Sequence, residues 1–450
     1  MNLDELSGKS LLLLGKSRAL AQDEFEAQLQ QHNITLTRDY DEHVAVIAEG
    51  RLMNPIEQEL HDELYANRAA PIVSVDEVEK LLCRAIDGER LLMSLKLGND
   101  QERLLGFLQN RLIDDTLFLR LFKLFNWHGE GLFENDENRD ATAALIERFY
   151  ENIERNHNVQ YANTGLMHLL NQSDNPELVE TIATLEPLQF ALKKGCDNST
   201  YKILLAIASH CASSKTVLKQ FVKYGDTPLR TLVAQRGDID AQMQQKLYAL
   251  DESEVTAALA QNPLLSSELS VLLLQDEAYR DTVARSIMLD ETRFAQISEA
   301  SVQAVAANET LTAAMQLELF EHADDDTLIV LAANAALDGD LAKMLYEKKN
   351  TAAHCALAAN SATPSALLEL LYEEVSCHEA LAKNEQTPAD VLQRLGSSSD
   401  IAVLTALAKN PATPVELLYQ LQLDKRLERY VMGNEGFGRH IQRDNIGWQL

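Results

Sequence analysis

Ala356-Leu-Ala-Ala-Asn360-Ser-Ala-Thr363-Pro364-Ser-Ala-Leu-Leu368, Ala380-Leu-Ala-Lys-Asn384-Glu-Gln-Thr387-Pro388-Ala-Asp-Val-Leu392 and Ala406-Leu-Ala-Lys-Asn410-Pro-Ala-Thr413-Pro414-Val-Glu-Leu-Leu418 are three copies of one pattern. The same frame runs upstream through Asn334, Asn308 and Asn262 and degenerates to Ser286, Arg236 and His210; downstream it reaches Asn434. From His210 to Asn434 the spacings are 26, 26, 24, 22, 26, 26, 24, 26 and 24 residues. Residues 165–209 read as one or two weaker copies. A fixed period of this length predicts a stacked repeat array.

The pattern has a local physical reading. Ala-Leu-Ala at the end of one helix is small enough for close packing against neighbours. Asn tolerates the left-handed conformation that ends a helix, so Asn360, Asn384 and Asn410 are expected as terminators. Thr363, Thr387 and Thr413 are expected as N-caps, with Pro364, Pro388 and Pro414 at the first helical position. Thr413-Pro-Val-Glu416 also fits a capping box. The paired Leu residues then face the core. Each repeat is a helix, a tight corner and a second helix, and one such unit cannot bury its apolar face alone.

The chain has 450 residues, 46% hydrophobic and 24% charged, which is the profile of a folded protein. Aromatics reach only 6%, and Leu and Ala dominate, as in closely packed helices. Forty basic and 69 acidic residues give 40 − 69 = −29, so bulk nucleic-acid binding and adhesion to anionic membranes are not expected. No apolar run approaches the roughly 20 residues of a membrane span. Met1–Gly15 begins with acidic residues and does not read as a secretory signal. Cys83, Cys196, Cys211, Cys355 and Cys377 are odd in number, widely spread and free of CxxC, which points to a reducing cytoplasm. The C-terminal stretch 424–450 has five basic and four acidic residues, and Gly433-Asn-Glu-Gly-Phe-Gly438 and Trp448 leave the repeat pattern, as a capping element would.

The first 85 residues read differently. Ser10-Leu-Leu-Leu-Leu14, Ile34–Thr37, Val44–Ala48 and Pro71–Ser74 read as strands, with helices over 23–30, 53–67 and 75–82. Alternation of this kind implies a small parallel α/β sheet. The expected organisation is an α/β domain at 1–85, a helical connector at 86–164, an α-solenoid at 165–435 and a tail at 436–450.

Leu6-x-Gly8-Lys9 before the first strand, Gly15 closing it and Pro71-Ile-Val-Ser74 before the last helix resemble a BRCT domain. The resemblance implies partner binding, often to a phosphopeptide, through the end of the first strand, here Gly15, Lys16 and Ser17. It departs from the family in having His32-Asn33 for the usual Gly-Gly turn, no Trp in the last helix, and no Lys in Met53–Asn67. The Ala-x-Asn-x-x-Thr-Pro-x-x-Leu-Leu motif resembles the leucine-rich repeat variant family, which implies a right-handed, armadillo-like solenoid of alternating helices. The founding type carries an iron–sulfur cluster on closely spaced cysteines. Nothing in this chain matches them, and no cofactor is expected.

Three further patterns carry candidate chemistry. Ser10–Ser17 approaches a P-loop, but Ser10 replaces its first Gly and four Leu fill its cradle. Asp136, Asn138, Asp140 and Glu147 take positions 1, 3, 5 and 12 of a calcium loop, with Ala141 where Gly makes the turn; the plainer reading is an acidic loop in which Asp140 caps the next helix. His354-Cys355 and Cys377-His378 offer zinc-type ligands on adjacent repeats, with the histidines in register and the cysteines out of it. No Gly-x-Ser-x-Gly or His-Glu-x-x-His motif appears. The expectation is a non-catalytic cytoplasmic scaffold whose solenoid grips a basic protein or peptide. The alternatives are a metal- or iron–sulfur-linked regulatory repeat protein and a DNA-repair accessory protein.

Overall fold

Leu11–Leu14, four apolar residues in succession, form the inner part of a strand buried on both faces, the setting in which parallel sheets place continuous apolar runs. Among the described residues, 2–153 and 158–443 in this computed structural model, the sheet has four strands: β1 (Ser10–Leu14), β2 (Thr35–Thr37), β3 (Val44–Glu49) and β4 (Ile72–Ser74). All pairings are parallel and the order is β2-β1-β3-β4. Leu12 and Leu14 join Val44, Ile47 and Leu64 of the helix Pro55–Ala66 in one core. Leu11 and Leu13 point to the opposite face, where helices Gln22–Gln31 and Val75–Ala85 pack together.

The rest is α-helical. The chain forms two compact units, residues 1–233 and 234–450, a division that falls within the repeating region. The second unit is built of alternating first and second helices joined by the expected corners. Its first helices, such as Asp325–Ala333, Thr351–Ala359, His378–Lys383 and Ile401–Lys409, stack directly on one another. Leu331, Leu357, Leu381 and Leu407, with the Ala that follows each, are fully buried in that stack. The small side chain allows close approach and the Leu fills the space it leaves.

The corners work differently from the sequence expectation. Asn334, Asn360, Asn384 and Asn410 end their helices in extended conformation, with φ between −65° and −83°. None of them is left-handed; that conformation occurs at Asn33, Asn99 and Asn152 instead. The extended backbone turns each carboxamide inward. Asn384 Nδ2 donates to Ala358 O at 2.9 Å and Asn360 O at 3.0 Å, while Gln386 N donates to its Oδ1 at 2.9 Å. The same three contacts recur at Asn334, Asn360 and Asn410. Asn434 closes the series on Ala408 O and Asn410 O. Each buried side chain therefore ties its own corner to the main chain of the preceding one.

Thr363, Thr387 and Thr413 are not N-caps either. Their hydroxyls donate backward, to Leu357 O, Leu381 O and Leu407 O, each at 2.7 Å. Those carbonyls lie in the last turn of the preceding helix, where each already accepts a long 3₁₀-type bond from the corner asparagine N–H, at 3.1–3.3 Å, and the hydroxyl adds a shorter second donor. Pro364, Pro388 and Pro414 take the cap position, and the capping box at Thr413 and Glu416 does not form. Where Thr-Pro is missing, a glutamine holds the corner: Gln316 Nε2 donates to Ala336 O at 2.8 Å and its Oε1 accepts from Asp338 N at 2.9 Å. Glu435–Arg443, which run from the last residue of the expected solenoid into the expected cap or tail at 436–450, form a helix that buries Phe437 against Tyr419. Trp448 lies outside the described residues.

Asn384→Ala removes two donors from buried carbonyls and should lower the unfolding free energy by about 2–4 kcal/mol. Asn384→Asp should cost more at neutral pH, since its carboxylate would face two carbonyl oxygens. Urea denaturation checks both; losses below about 0.5 kcal/mol, the size of an ordinary surface change, would contradict the structural role of these contacts.

Candidate functional site

The loop that follows β1 contains the residues singled out for anion or partner binding. Gly15 has φ +84°, and a Cβ there would lie 2.6 Å from Arg51 O, so glycine is required. Lys16 exchanges two main-chain hydrogen bonds with Arg51, at 2.7 and 2.9 Å. Arg38 Nη1 donates to Gly15 O at 2.7 Å. The next three main-chain N–H groups, of Arg18, Ala19 and Leu20, all donate to Glu79 Oε1 at 3.0, 2.8 and 3.0 Å. Glu79 comes from the helix Val75–Ala85 and is fully buried. A convergent set of N–H groups is what a bound phosphate uses; in this chain a carboxylate of its own fills the cradle.

A second internal carboxylate stands beside the same strand end. Glu57 accepts from Asn54 N at 2.8 Å, completing a capping box, and lies 3.9 Å from Arg38. The Asn54 N–H holds its carboxyl below the usual range against the opposing effect of burial, with the Gly15 N–H and the Arg38 charge adding to the lowering. Gly15–Ser17 thus belong to a closed, self-neutralised loop: the Lys16 side chain is exposed and Ser17 is half-buried.

The calcium reading is overturned. Asp136, Asn138, Asp140 and Glu147 all lie in one helix, Asp136–Phe149, capped by Asn135 and not by Asp140. Positions 1, 3, 5 and 12 of a helix point in different directions over three turns and cannot enclose one ion. Asn138 is buried, its amide donating to His128 O and Gly131 O, and Glu147 pairs with Arg111 at 3.0 Å.

The zinc reading fails for a different reason. His354 and His378 do the same structural work in consecutive repeats. Each stacks on a tyrosine of the preceding helix, Tyr346 at 4.8 Å and Tyr372 at 5.1 Å between centroids, and each Nε2 meets that tyrosine's carbonyl at 2.8 Å. The other nitrogen of His354 faces Glu374 at 2.5 Å, so both ring nitrogens are already engaged within the protein. Among the described residues no group of three or more His, Cys, Asp or Glu is placed to hold a metal ion. Cys355 and Cys377, expected out of register, have their sulfurs 3.3 Å apart. Val375–Cys377 form a tight 3₁₀ turn ahead of the helix His378–Lys383, and this brings Cys377 inward.

The most extended chemical feature is an acidic edge on the second unit. Its first helices stack side by side, so their N-termini line one edge. Glu254, Asp281, Asp325, Asp326 and Glu379 occupy the first turns of these helices. Glu277, Glu299 and Glu373 stand exposed in the turns leading into them. Negative groups are favoured there by the helix dipole. Lys348 and Lys349 interrupt the run at one corner.

Two participants, Glu79 and Asn110, escaped the sequence reading, and a third, His210, enters it only as a degenerate register position. Glu79 is one acidic residue among 69, with no local signal of its role. Asn110 forms a corner outside the detected frame: Leu112 N donates to its Oδ1 at 2.8 Å and its amide donates to Cys83 Sγ at 3.3 Å, where burial pushes the thiol up to about 11. His210 uses a ring in place of a carboxamide, Nδ1 accepting from Ala212 N and Nε2 meeting Ser173 O, both at 3.1 Å. No protein-family model, curated protein or solved structure matches the chain.

Glu79→Leu leaves three N–H groups without their acceptor and should cost about 3–5 kcal/mol, whereas Glu79→Gln, which keeps Oε1, should cost less than half of that. Chemical denaturation of both variants decides it; equal losses would show that the side chain only fills space. The Glu57 carboxyl is depressed in the folded state, so its contribution is complete above the unfolded carboxylate range and fades as pH falls through it. The stability gap between wild type and Glu57→Gln, about 0.5 kcal/mol for a half-buried surface group, should accordingly be present at pH 7 and shrink as the pH falls from the ordinary carboxylate range towards the lower folded-state value in pH-dependent melts.

Proposed function

We propose that the protein is a non-catalytic scaffold whose acidic helical repeats bind a basic segment of a protein partner. The observation that carries the reading is the acidic edge of the second unit. It is long, it consists of exposed carboxylates recurring at most stacking steps, and it sits on a scaffold fixed by buried side-chain bonds. A surface of that kind attracts a cationic chain at long range and accelerates encounter. The net charge of −29 favours the same partner class and opposes phosphate backbones.

The family-level reading belongs to the same proposal. We infer that the helix–corner–helix repeats are of the leucine-rich repeat variant type, supported by the regular Asn-x-x-Thr-Pro corners. The N-terminal domain is read as BRCT-like, supported by its parallel strand order and flanking helices. Its anion cradle is filled by Glu79 and Glu57, so its role in the proposal is a docking or pairing module, with phosphopeptides bound elsewhere or not at all. A cytoplasmic setting fits the lack of disulfide bonds among the described residues.

Affinity capture with the full chain identifies the partner, and direct titration then measures the contact. Replacing Glu254, Glu277, Glu299 and Asp326 by Lys together should weaken binding by about tenfold or more and flatten its dependence on salt, with the melting curve little changed. Undiminished affinity, or binding that strengthens with salt, would contradict the acidic edge as the contact surface.

A further inference from the structure

Cys355 and Cys377 are 22 positions apart in sequence and belong to consecutive repeats, yet their sulfurs lie 3.3 Å from each other. Cys355 is half-buried at the surface of the helix Thr351–Ala359; Cys377 is fully buried beneath it. Both are free thiols. A disulfide needs a sulfur–sulfur distance of about 2.05 Å, so side-chain rotation by roughly an ångström closes the gap without moving one repeat against the next.

We propose that this pair is an oxidation site at which a low-molecular-weight disulfide converts the two thiols into a covalent staple between adjacent repeats. The accessible partner reacts first. The Cys355 thiolate attacks one sulfur of the small disulfide RSSR, its S–S bond breaks, and one RS⁻ leaves and takes up a proton. The Cys377 thiol then gives its proton to solvent and attacks Cys355 Sγ, expelling the second RS⁻. The balance is two Cys–SH plus RSSR giving one Cys–S–S–Cys plus two RSH: the protein is oxidised and the small disulfide reduced. Burial and the Cys355 contact push the Cys377 thiol up to about 12, which keeps it from reacting with solutes; its attack in the second step rests on the 3.3 Å separation of the two sulfurs.

The staple has a structural consequence. It fixes the 3₁₀ turn Val375–Cys377 to the preceding helix, and with it the corner that carries Glu373 and the His354–Glu374 contact. Cross-linking residues a repeat apart also restricts the unfolded chain, so the oxidised protein should melt at a higher temperature.

The test uses the full chain and oxidised glutathione as the probe. After treatment the protein is unfolded, alkylated and cut with trypsin, which releases Asn350–Lys383 with both cysteines in one peptide. The expected peptide takes no alkyl group and is lighter by two hydrogens, and reduction restores two sites for label. Cys377→Ser should instead accumulate a glutathione adduct on Cys355. A wild-type peptide that keeps two alkylatable thiols, or that stops at the glutathione adduct, would overturn the proposal.

Discussion

A buried carboxamide that reaches from one corner to the main chain of the corner before it is the contact on which the second unit depends. Helices in this chain are short; the first helices of the repeats run from five to nine residues in the best-formed part of the series. Helices of that length are not stable alone. They persist because each is clamped at its end and packed on its neighbours. The carboxamide is suited to the task because it offers two donors and an acceptor in one plane. One donor satisfies a carbonyl that the preceding helix leaves open, the other adds to the turn bond on the preceding corner's carbonyl, and the acceptor satisfies an N–H of its own corner. A purely apolar residue would leave the helix-end carbonyl and the corner N–H buried and unmatched, and the corner carbonyl with only its own turn's N–H.

The clamps also explain where variation is tolerated. Between Asn262 and Asn308 the frame falls on Ser286, and Asn308 there donates to Ala284 O and Ile287 O instead of to a register asparagine. At His210 a ring does the work of an amide. The backbone contact is kept while the residue that makes it changes. With the corners fixed from inside, the outer residues of the turns are free to carry charge, and here they carry mostly carboxylates. The acidic groups at the starts of the first helices therefore serve two ends at once: they complement the helix dipoles and they create a repeating negative edge.

Much of this was legible in the sequence. The repeat period, the pairing of helices and the parallel sheet all follow from patterns of apolar residues, which report directly on burial. The roles within the corners were less legible. Asn and Thr are residues with several uses, and composition alone does not separate a left-handed terminator from a buried clamp, or a forward cap from a backward one. The calcium-like spacing at Asp136–Glu147 misled because ligand spacing has meaning only in a loop, and these residues form one helix. Glu79 and the Cys355–Cys377 contact depend on which residues the fold brings together, 59 to 61 positions apart in one case and 22 in the other. No local pattern encodes such pairings.

The central claim is that the register asparagines hold the repeats together through side-chain amides sealed from solvent. Hydrogen exchange of side-chain amides, followed by NMR on protein labelled at asparagine nitrogen, reads this directly. The account predicts that the Nδ2 protons of Asn334, Asn360, Asn384 and Asn410 exchange orders of magnitude more slowly than those of exposed asparagines such as Asn67, and that their protection is lost together on unfolding. Exchange of the register amides as fast as that of the exposed ones would mean that these bonds open freely and do not hold the stack.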